Sequence, residues 1–334
     1  MDVLVIGGTL FIGRLLVKEL VAKGHSVTVL HRKPKHDLGR QVASICADRN
    51  DGAAMRAALS GRHFDVVFDN VYDWERGTAA AQIQATVEAC GDNLSRYIFM
   101  SSVAAYGDGL NHHEGDALAV QDHADAYVRN KANSERLLFR MHSRSGLPAV
   151  TLRPPFVYGP GNPYYREAFF WDRMRDKRSV IIPGDGRRLM QFVHVSDLVW
   201  CALQAMETPA AVGHAFNIAN PRPLAQTDVI EALAKAANRP MPPLVRIPRE
   251  TLLRAGGHPI KGPKFYFAEY FDLPPITQIV AKAQRVLKFK PLDFVEGLRE
   301  TYKWWGHAHP FDKPDYVWED EMIAKAPLYL APML

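Results

Sequence analysis

Disulfide and zinc frameworks are the first things this sequence lacks. Its 334 residues include three cysteines, Cys46, Cys90 and Cys201, each alone in apolar surroundings. That scatter excludes a cysteine scaffold and fits buried thiols in a reducing compartment. No apolar run reaches the length of a membrane span, so no membrane partner is expected. The first residues, Met1-Asp2-Val3-Leu4-Val5-Ile6, show no basic stretch before a cleavable apolar segment, so the expected location is cytoplasmic. Neither sign of charge dominates: 41 Lys and Arg stand against 36 Asp and Glu, a net +5. A pI of about 9.0 suits an anionic cofactor or substrate and does not by itself argue for nucleic acid. Low-complexity segments and fixed-period repeats are also missing. Histidines occur in pairs at His112-His113 and at His307 and His309. No cysteine or carboxylate completes a ligand set around them, so they read as loop residues and no metal is expected.

Alternation is what the sequence does have. Apolar runs at 2–6, 26–30, 42–47, 65–69, 96–101 and 149–153 predict strands. Helical spacing at 11–23, about 52–60, about 76–91 and 126–141 predicts the helices between them. Strands alternating with helices imply an α/β fold: a Rossmann-type, doubly wound parallel sheet over residues 1–160. Residues 192–197 read as a strand entering a helix and 215–219 as a further strand, so 191–219 is assigned back to the first domain. Segments 161–190 and 220–305 predict a smaller, mixed substrate domain over the carboxyl ends of the strands. Residues 306–334, with several aromatics and prolines, read as an extended C-terminal arm.

Two motifs carry chemistry. The turn Val5-Ile-Gly-Gly-Thr-Leu-Phe-Ile-Gly13 follows a strand and opens a helix. Its backbone N–H groups and the helix N-terminus suit a pyrophosphate. Tyr127 and Lys131 are four residues apart, so a helix places them on one face, and Ser102 lies 25 residues upstream of the tyrosine. A free phenol ionises near pH ~10 and is a poor base at neutral pH. A neighbouring ammonium stabilises the phenolate and lowers that value.

Six segments in this order resemble the extended short-chain dehydrogenase/reductases of the NAD-dependent epimerase/dehydratase group, over about residues 1–305. They are the Gly7–Gly13 turn, the acidic segment Ala47-Asp48-Arg49-Asn50-Asp51, Ser101-Ser102-Val-Ala-Ala-Tyr106-Gly107, Tyr127-x-x-x-Lys131, Leu152-Arg-Pro-Pro-Phe-Val-Tyr-Gly-Pro-Gly161 and Phe192-Val-His-Val-Ser-Asp197. The resemblance implies hydride transfer between nicotinamide C4 and a carbinol or carbonyl carbon. Tyr127 exchanges the proton, Ser102 orients the oxygen, and Lys131 holds the nicotinamide ribose and tunes the tyrosine. It implies cofactor contacts from Gly7, Thr9, Leu10, Phe11 and Ile12 in the turn, and from Asp48 and Arg49 at the adenine. Asn70, Val71 and Tyr72 follow the fourth strand, and Met100 and Pro154 pack near the nicotinamide. Asp48 also reads as an N-cap of the following helix.

The departures from the family pattern are informative. Leu10 stands where a glycine is usual, implying a displaced pyrophosphate or a side chain directed away from it. His31-Arg32-Lys33 replaces the acidic residue that usually ends the second strand. Arg32 and Lys33 suit a 2′-phosphate, so NADP(H) is favoured over NAD(H); they also read as solvated surface cations. On the substrate side, Phe156 and Met190 stand where nucleotide-sugar enzymes carry polar residues, and Arg187 lies nearby in sequence. Trp74, Tyr106, Phe156 and Arg187 are the candidate substrate residues, for a sugar-like or other small hydroxylated molecule. Core packing is the alternative for Trp74 and Phe156. The resemblance further implies a homodimer. The Gly-Gly-Thr-x-Phe-Ile-Gly turn also resembles a divergent branch that includes chloroplast stem-loop RNA-binding proteins. RNA binding or cofactor sensing without turnover is therefore the competing reading.

Overall fold

The computed structural model describes residues 1–330 apart from 34, 92, 261, 263 and 309, and at 328–330 the backbone alone. His309 and the last four residues of the C-terminal segment thus lie outside the described residues. Among the described residues no helix is long and apolar enough to cross a membrane. The chain divides into two compact units.

The first unit holds Met1–Val157, Val195–Pro221 and Ile276–Pro291. At its centre is the expected parallel sheet. Five of its strands are β1 (Asp2–Ile6), β2 (Ser26–His31), β3 (Val42–Cys46), β4 (Val66–Asp69) and β5 (Arg96–Met100). Strands Ala149–Arg153 and His214–Asn217 complete seven. The order across the sheet is His214–Asn217, Ala149–Arg153, β5, β4, β1, β2, β3, and every neighbouring pair is parallel. Both faces of such a sheet are covered, so its inner strands read as unbroken apolar runs. Val3, Leu4, Val5 and Ile6 are buried, as are Val66, Val67 and Phe68. Burying one such side chain contributes about 1.5–3 kcal/mol.

The longer helices of this unit are α1 (Phe11–Ala22), α2 (Gly52–Leu59), α3 (Ala80–Cys90), α4 (Ala126–Ser145) and Val195–Glu207. Strand β1 bonds to β2 on one side and to β4 on the other. The connections leaving β1 and β4 therefore diverge, and a crevice opens at their carboxyl ends.

Three of the differences from the sequence reading have a clear local or long-range reason. Helix α3 begins at Ala80 instead of about 76. The Asp73 carboxylate accepts the N–H groups of Glu75 and Arg76 (both 3.0 Å), and the Gly77 N–H reaches the Asp73 carbonyl (2.9 Å). Those bonds make a tight turn that delays the helix. Helix α4 runs on to Ser145 and stops at Gly146, which takes the left-handed conformation at φ 74°. Residues Ile276–Gln278 pair in parallel with Gly109–His112. That pairing draws Ile276–Pro291 into the first unit, although the sequence reading placed it in the substrate domain.

The second unit holds Tyr158–His194, Arg222–Pro275 and Leu292–Leu334. Helix Gln226–Ala236 packs on helices Glu167–Arg175 and Phe294–Ala308, and Val180–Pro183 pairs in parallel with Leu244–Ile247. Its core is aromatic: Phe169, Phe170, Trp171, Tyr266, Phe267 and Phe271 are all fully buried. The C-terminal segment corrects an expectation. Val317–Leu330 is a helix, where an extended arm was expected. The Asp315 carboxylate accepts the Val317 N–H at 2.9 Å and starts it. Met322 and Ala326, four residues apart, are buried on one face, and a buried Arg173–Glu319 ion pair anchors it.

Candidate active site

The crevice between the ends of β1 and β4 is a cleft of about 550 Å³. Its floor is the Gly-rich turn, and its glycines are there for space. Gly7 has φ +84°, and a Cβ on it would stand 2.4 Å from Val71 Cγ2. A Cβ on Gly13 would stand 2.0 Å from the Gly7 carbonyl oxygen. Bare backbone thus lets α1 and the end of β4 close on the turn. Leu10 occupies the N-cap of α1 without a side-chain cap bond. The first amides of the helix are therefore left to a ligand or solvent, which makes this end a candidate anion site. Leu10 itself is 70% exposed, and the following Phe11 takes φ 37°.

Gly7, Thr9, Leu10, His31, Arg32, Lys33, Asp48, Arg49, Val71 and Tyr72 all line this cleft. Phe11 and Ile12 lie beside it in the first turn of α1 and are half-buried. Asn70 follows β4, with its amide bonded to the Ile6 carbonyl at 3.1 Å. Its side-chain Oδ1 and Nδ2 are both buried without a protein partner. A buried side-chain amide with neither atom partnered marks a place for a polar ligand. Four further cleft residues, Arg14, Lys35, His36 and Asp37, carried no motif signal. Arg14 pairs with Asp37 across the rim and donates to the Thr9 carbonyl at 3.2 Å.

The charged residues of the cleft are partly committed to one another. Arg32 reaches Asp73 at 3.5 Å. Arg76 bridges Asp73 (2.6 Å) and Asp48 (2.7 Å). The Arg76 amide, followed by its guanidinium and the Glu75 amide, outweighs burial and holds the Asp73 carboxyl down at about 2. Burial works against ionisation of Asp48, but the Asn50 amide and Arg76 hold it below the usual carboxylate range. The N-cap reading of Asp48 is corrected: Asp51 caps α2 by accepting from Ala53 and Ala54. Burial, with His36 and Lys33 beside it, lowers His31, whose Nε2 lies 2.8 Å from Ser44 Oγ. Arg49 lines the cleft but is committed beneath it. Its buried guanidinium pairs with Asp69, to which Tyr97 donates at 2.7 Å.

Helix α4 supplies the next group. Asp125 caps it, accepting from Tyr127 at 2.8 Å and Val128 at 3.1 Å. Lys131 is 4% exposed, and its ammonium donates to the Met100 carbonyl at 2.6 Å. It lies 4.8 Å from the Phe99 ring centre, 5.5 Å from Tyr72 and 5.7 Å from Tyr127. Burial pulls its pKa down to about 8, against the supporting charge of Asp69. Tyr72, Trp74 and Tyr127 form a ring cluster. Trp74 stacks on Tyr127 at 4.8 Å and 23°, and Tyr72 meets both edge-on at 5.1 and 4.8 Å. Asn130, on the same helix, donates to the Tyr72 hydroxyl at 3.1 Å. Ser102 caps the short helix Val103–Tyr106, accepting from the Ala104 N–H at 3.2 Å. Pro154 is buried, its carbonyl accepting from the Val103 N–H at 3.0 Å.

Not every candidate is among the residues that line the cleft. Tyr106, expected at the substrate, is buried inside a structural network. Arg153 donates to its hydroxyl at 2.6 Å, and that hydroxyl donates to Asn217 at 2.8 Å. Burial pushes its phenol up to about 12. The strand Ala149–Arg153 and the Asn217 strand close around it, which no local pattern reveals. Glu114 accepts the Asn217 backbone N–H at 3.0 Å in the same region. Arg187 belongs to the second unit and is exposed in a turn, its amide held by Asp185 at 2.9 Å. Its neighbour Arg188 is the one engaged, with the Asp272 and Leu273 carbonyls at 3.2 and 3.0 Å. Phe156 is half-buried, Met190 is buried, and Trp74 is 53% exposed and no core residue. Among the described residues no group of three His, Cys, Asp or Glu is placed to hold a metal.

The chain is 28% identical to the chloroplast stem-loop binding protein of 41 kDa b from Arabidopsis thaliana, over 97% of this chain and 84% of that one. It is 24% identical to a dTDP-4-dehydro-6-deoxy-D-allose reductase from Streptomyces bikiniensis, over 91% of this chain and 96% of that one. The UDP-glucuronic acid 4-epimerase of Bacillus cereus, solved with UDP-glucuronic acid and NAD, superposes with a TM-score of 0.70 at 21% identity. That match covers 91% of this chain and 98% of the other. The pattern of the NAD dependent epimerase/dehydratase family matches residues 3–219. With the parallel sheet, the Gly-rich crevice and this match together, the chain belongs to the NAD dependent epimerase/dehydratase family.

Proposed function

We propose that this enzyme transfers hydride at a carbinol or carbonyl carbon of a small hydroxylated substrate, with Tyr127 exchanging the proton. One observation carries the reading. Lys131, a buried ammonium whose hydrogen-bond partner among the described residues is a single carbonyl, lies one helical turn from Tyr127 and beside its ring. A charge so placed stabilises a phenolate, and it has N–H donors left for a ribose. Ser102, in the loop after β5, orients the substrate oxygen. When bound, the nicotinamide cofactor supplies the hydride. The uncapped start of α1 and the unpartnered amide of Asn70 suit its phosphates and ribose hydroxyls.

NADP(H) is the favoured cofactor, with Arg32 and Lys33 beside the 2′-phosphate. Both line the cleft, and no acidic residue ends β2. Asp48 and Arg76 frame the adenine end. A homodimer in the cytoplasm completes the reading. If the cofactor is regenerated within one cycle, as in an epimerase, it stays bound through purification; in a reductase it exchanges.

The similarity to a stem-loop binding protein favours a second reading, RNA binding without turnover. The buried Lys131 beside Tyr127 has no role in that reading. The test is Tyr127→Phe, assayed on whatever carbonyl substrate mass spectrometry of the co-purifying ligands identifies. General acid–base loss should cut turnover about 10²–10⁴-fold while cofactor binding stays intact. Full turnover in the variant would remove Tyr127 from the mechanism. Salt-sensitive RNA retention with no cofactor binding would establish the second reading.

A further inference from the structure

We infer that Trp74 is a stacking platform that makes this site selective for planar, π-bearing carbonyl or carbinol substrates. The inference rests on the proposed role of Tyr127 and adds the substrate class.

Trp74 is a large aromatic held in place and more than half exposed. Its indole stacks on the Tyr127 ring at 4.8 Å and 23°, yet 53% of the residue is exposed. Tyr72 fixes the pair edge-on, and Asn130 on α4 anchors the Tyr72 hydroxyl. The backbone under Trp74 is rigid as well. Asp73 accepts the amides of Glu75 and Arg76, its own amide donates to Thr78 Oγ1 at 3.0 Å, and its carboxylate grips the Arg76 side chain at 2.6 and 2.9 Å. The ring is therefore ordered before any ligand arrives, and little entropy is lost when one stacks on it.

Position gives the platform its meaning. The indole is one ring layer from the phenol that would exchange the proton. A substrate whose oxygen bonds the Tyr127 hydroxyl carries the rest of its frame within a few bond lengths of the indole. A flat π-system there gains offset or edge-to-face contact that a puckered saturated ring of the same size cannot make. Trp200 offers an internal contrast. It is 38% exposed on the helix Val195–Glu207, with no part in the Tyr72–Trp74–Tyr127 cluster.

The experiment compares benzaldehyde with cyclohexanecarbaldehyde. Binding is measured by calorimetry with NADP⁺ present, where no hydride is available, and turnover by NADPH oxidation. Wild type and Trp200→Leu should bind the aryl aldehyde about three- to tenfold more tightly than the saturated one, the range one aromatic contact supplies. Trp74→Phe should keep most of that preference. Trp74→Leu should reduce it to about onefold. Selective binding without turnover would uphold the platform and sink the hydride-transfer reading. Turnover of both aldehydes with equal dissociation constants would do the reverse. Failure of benzaldehyde to bind, or an unchanged preference in Trp74→Leu, would overturn the inference.

Discussion

Helix α4 buries two opposite charges one turn apart, and the protein treats them differently. Glu135 is fully buried and fully partnered. Arg153 grips it at 3.0 and 2.6 Å, Thr151 donates at 3.1 Å, and Ser101 donates as well. Lys131 is almost as buried, yet among the described residues a single carbonyl and the faces of aromatic rings receive it. A buried charge with every bond made fixes strand and helix together and has nothing left for a ligand. A buried charge with bonds to spare holds an unfavourable state in reserve, which is the usual signature of a working site.

Breaking the structural side of this comparison should have the largest effect. Arg153→Met leaves Glu135 and the Tyr106 hydroxyl without their shared cation. It should cost about 3–5 kcal/mol of stability in urea unfolding. The double variant Glu135→Leu/Arg153→Met should recover most of that loss, because it strands no charge. If the single variant unfolds like wild type, the network is not the architectural element described.

The functional side should respond to pH instead. Burial lowers Lys131 from 10.5 to about 8 in the folded chain. Between those values the unfolded chain holds a proton that the folded chain has released, so wild-type stability rises with pH through that window. Below about pH 8 the buried charge costs up to about 3 kcal/mol. Lys131→Met has no such dependence. Its stability relative to wild type should therefore fall, by up to about 3 kcal/mol, from pH 8 to pH 10.5, as read from thermal melts across that range. A flat difference would show that Lys131 is not held as a displaced charge.

An exposed charge sharpens the contrast at its weak end. Arg32 lies at the cleft rim and shares Asp73 with Arg76. Arg32→Ser should weaken NADPH about tenfold, the lower range for a charge-assisted bond, and leave NADH within about twofold. Calorimetric titration of both cofactors reads this directly. Equal or tighter NADH binding by wild type would remove the NADP preference itself.

Much of this was legible in the sequence. The glycines at 7 and 13 sit where a turn leaves a strand and enters a helix, and the strands carry continuous apolar runs that only a doubly covered sheet explains. Tyr127 and Lys131 were legible as a pair because helical spacing is a local property. Arg76 was not. Its task depends on Asp48 and Asp73 meeting across the crevice, and only the three-residue step from Asp73 to Arg76 hints at it. Tyr106 was misplaced for the same reason, since its partners Arg153 and Asn217 come from strands far along the chain. The C-terminal helix was missed because prolines and aromatics outweighed a weak stripe completed by Met322 and Ala326.

The sequence by itself determined the elements, their order and the turn that opens the crevice, because propensity and periodicity act over a few residues. The tertiary structure decided three further things: that Lys131 is buried with one carbonyl for a partner, that Glu135 is saturated, and that Trp74 stands open against Tyr127. Those outcomes depend on which distant segments pack together, and burial is what turns an ordinary lysine, glutamate or tryptophan into a displaced charge, a structural clamp or a platform.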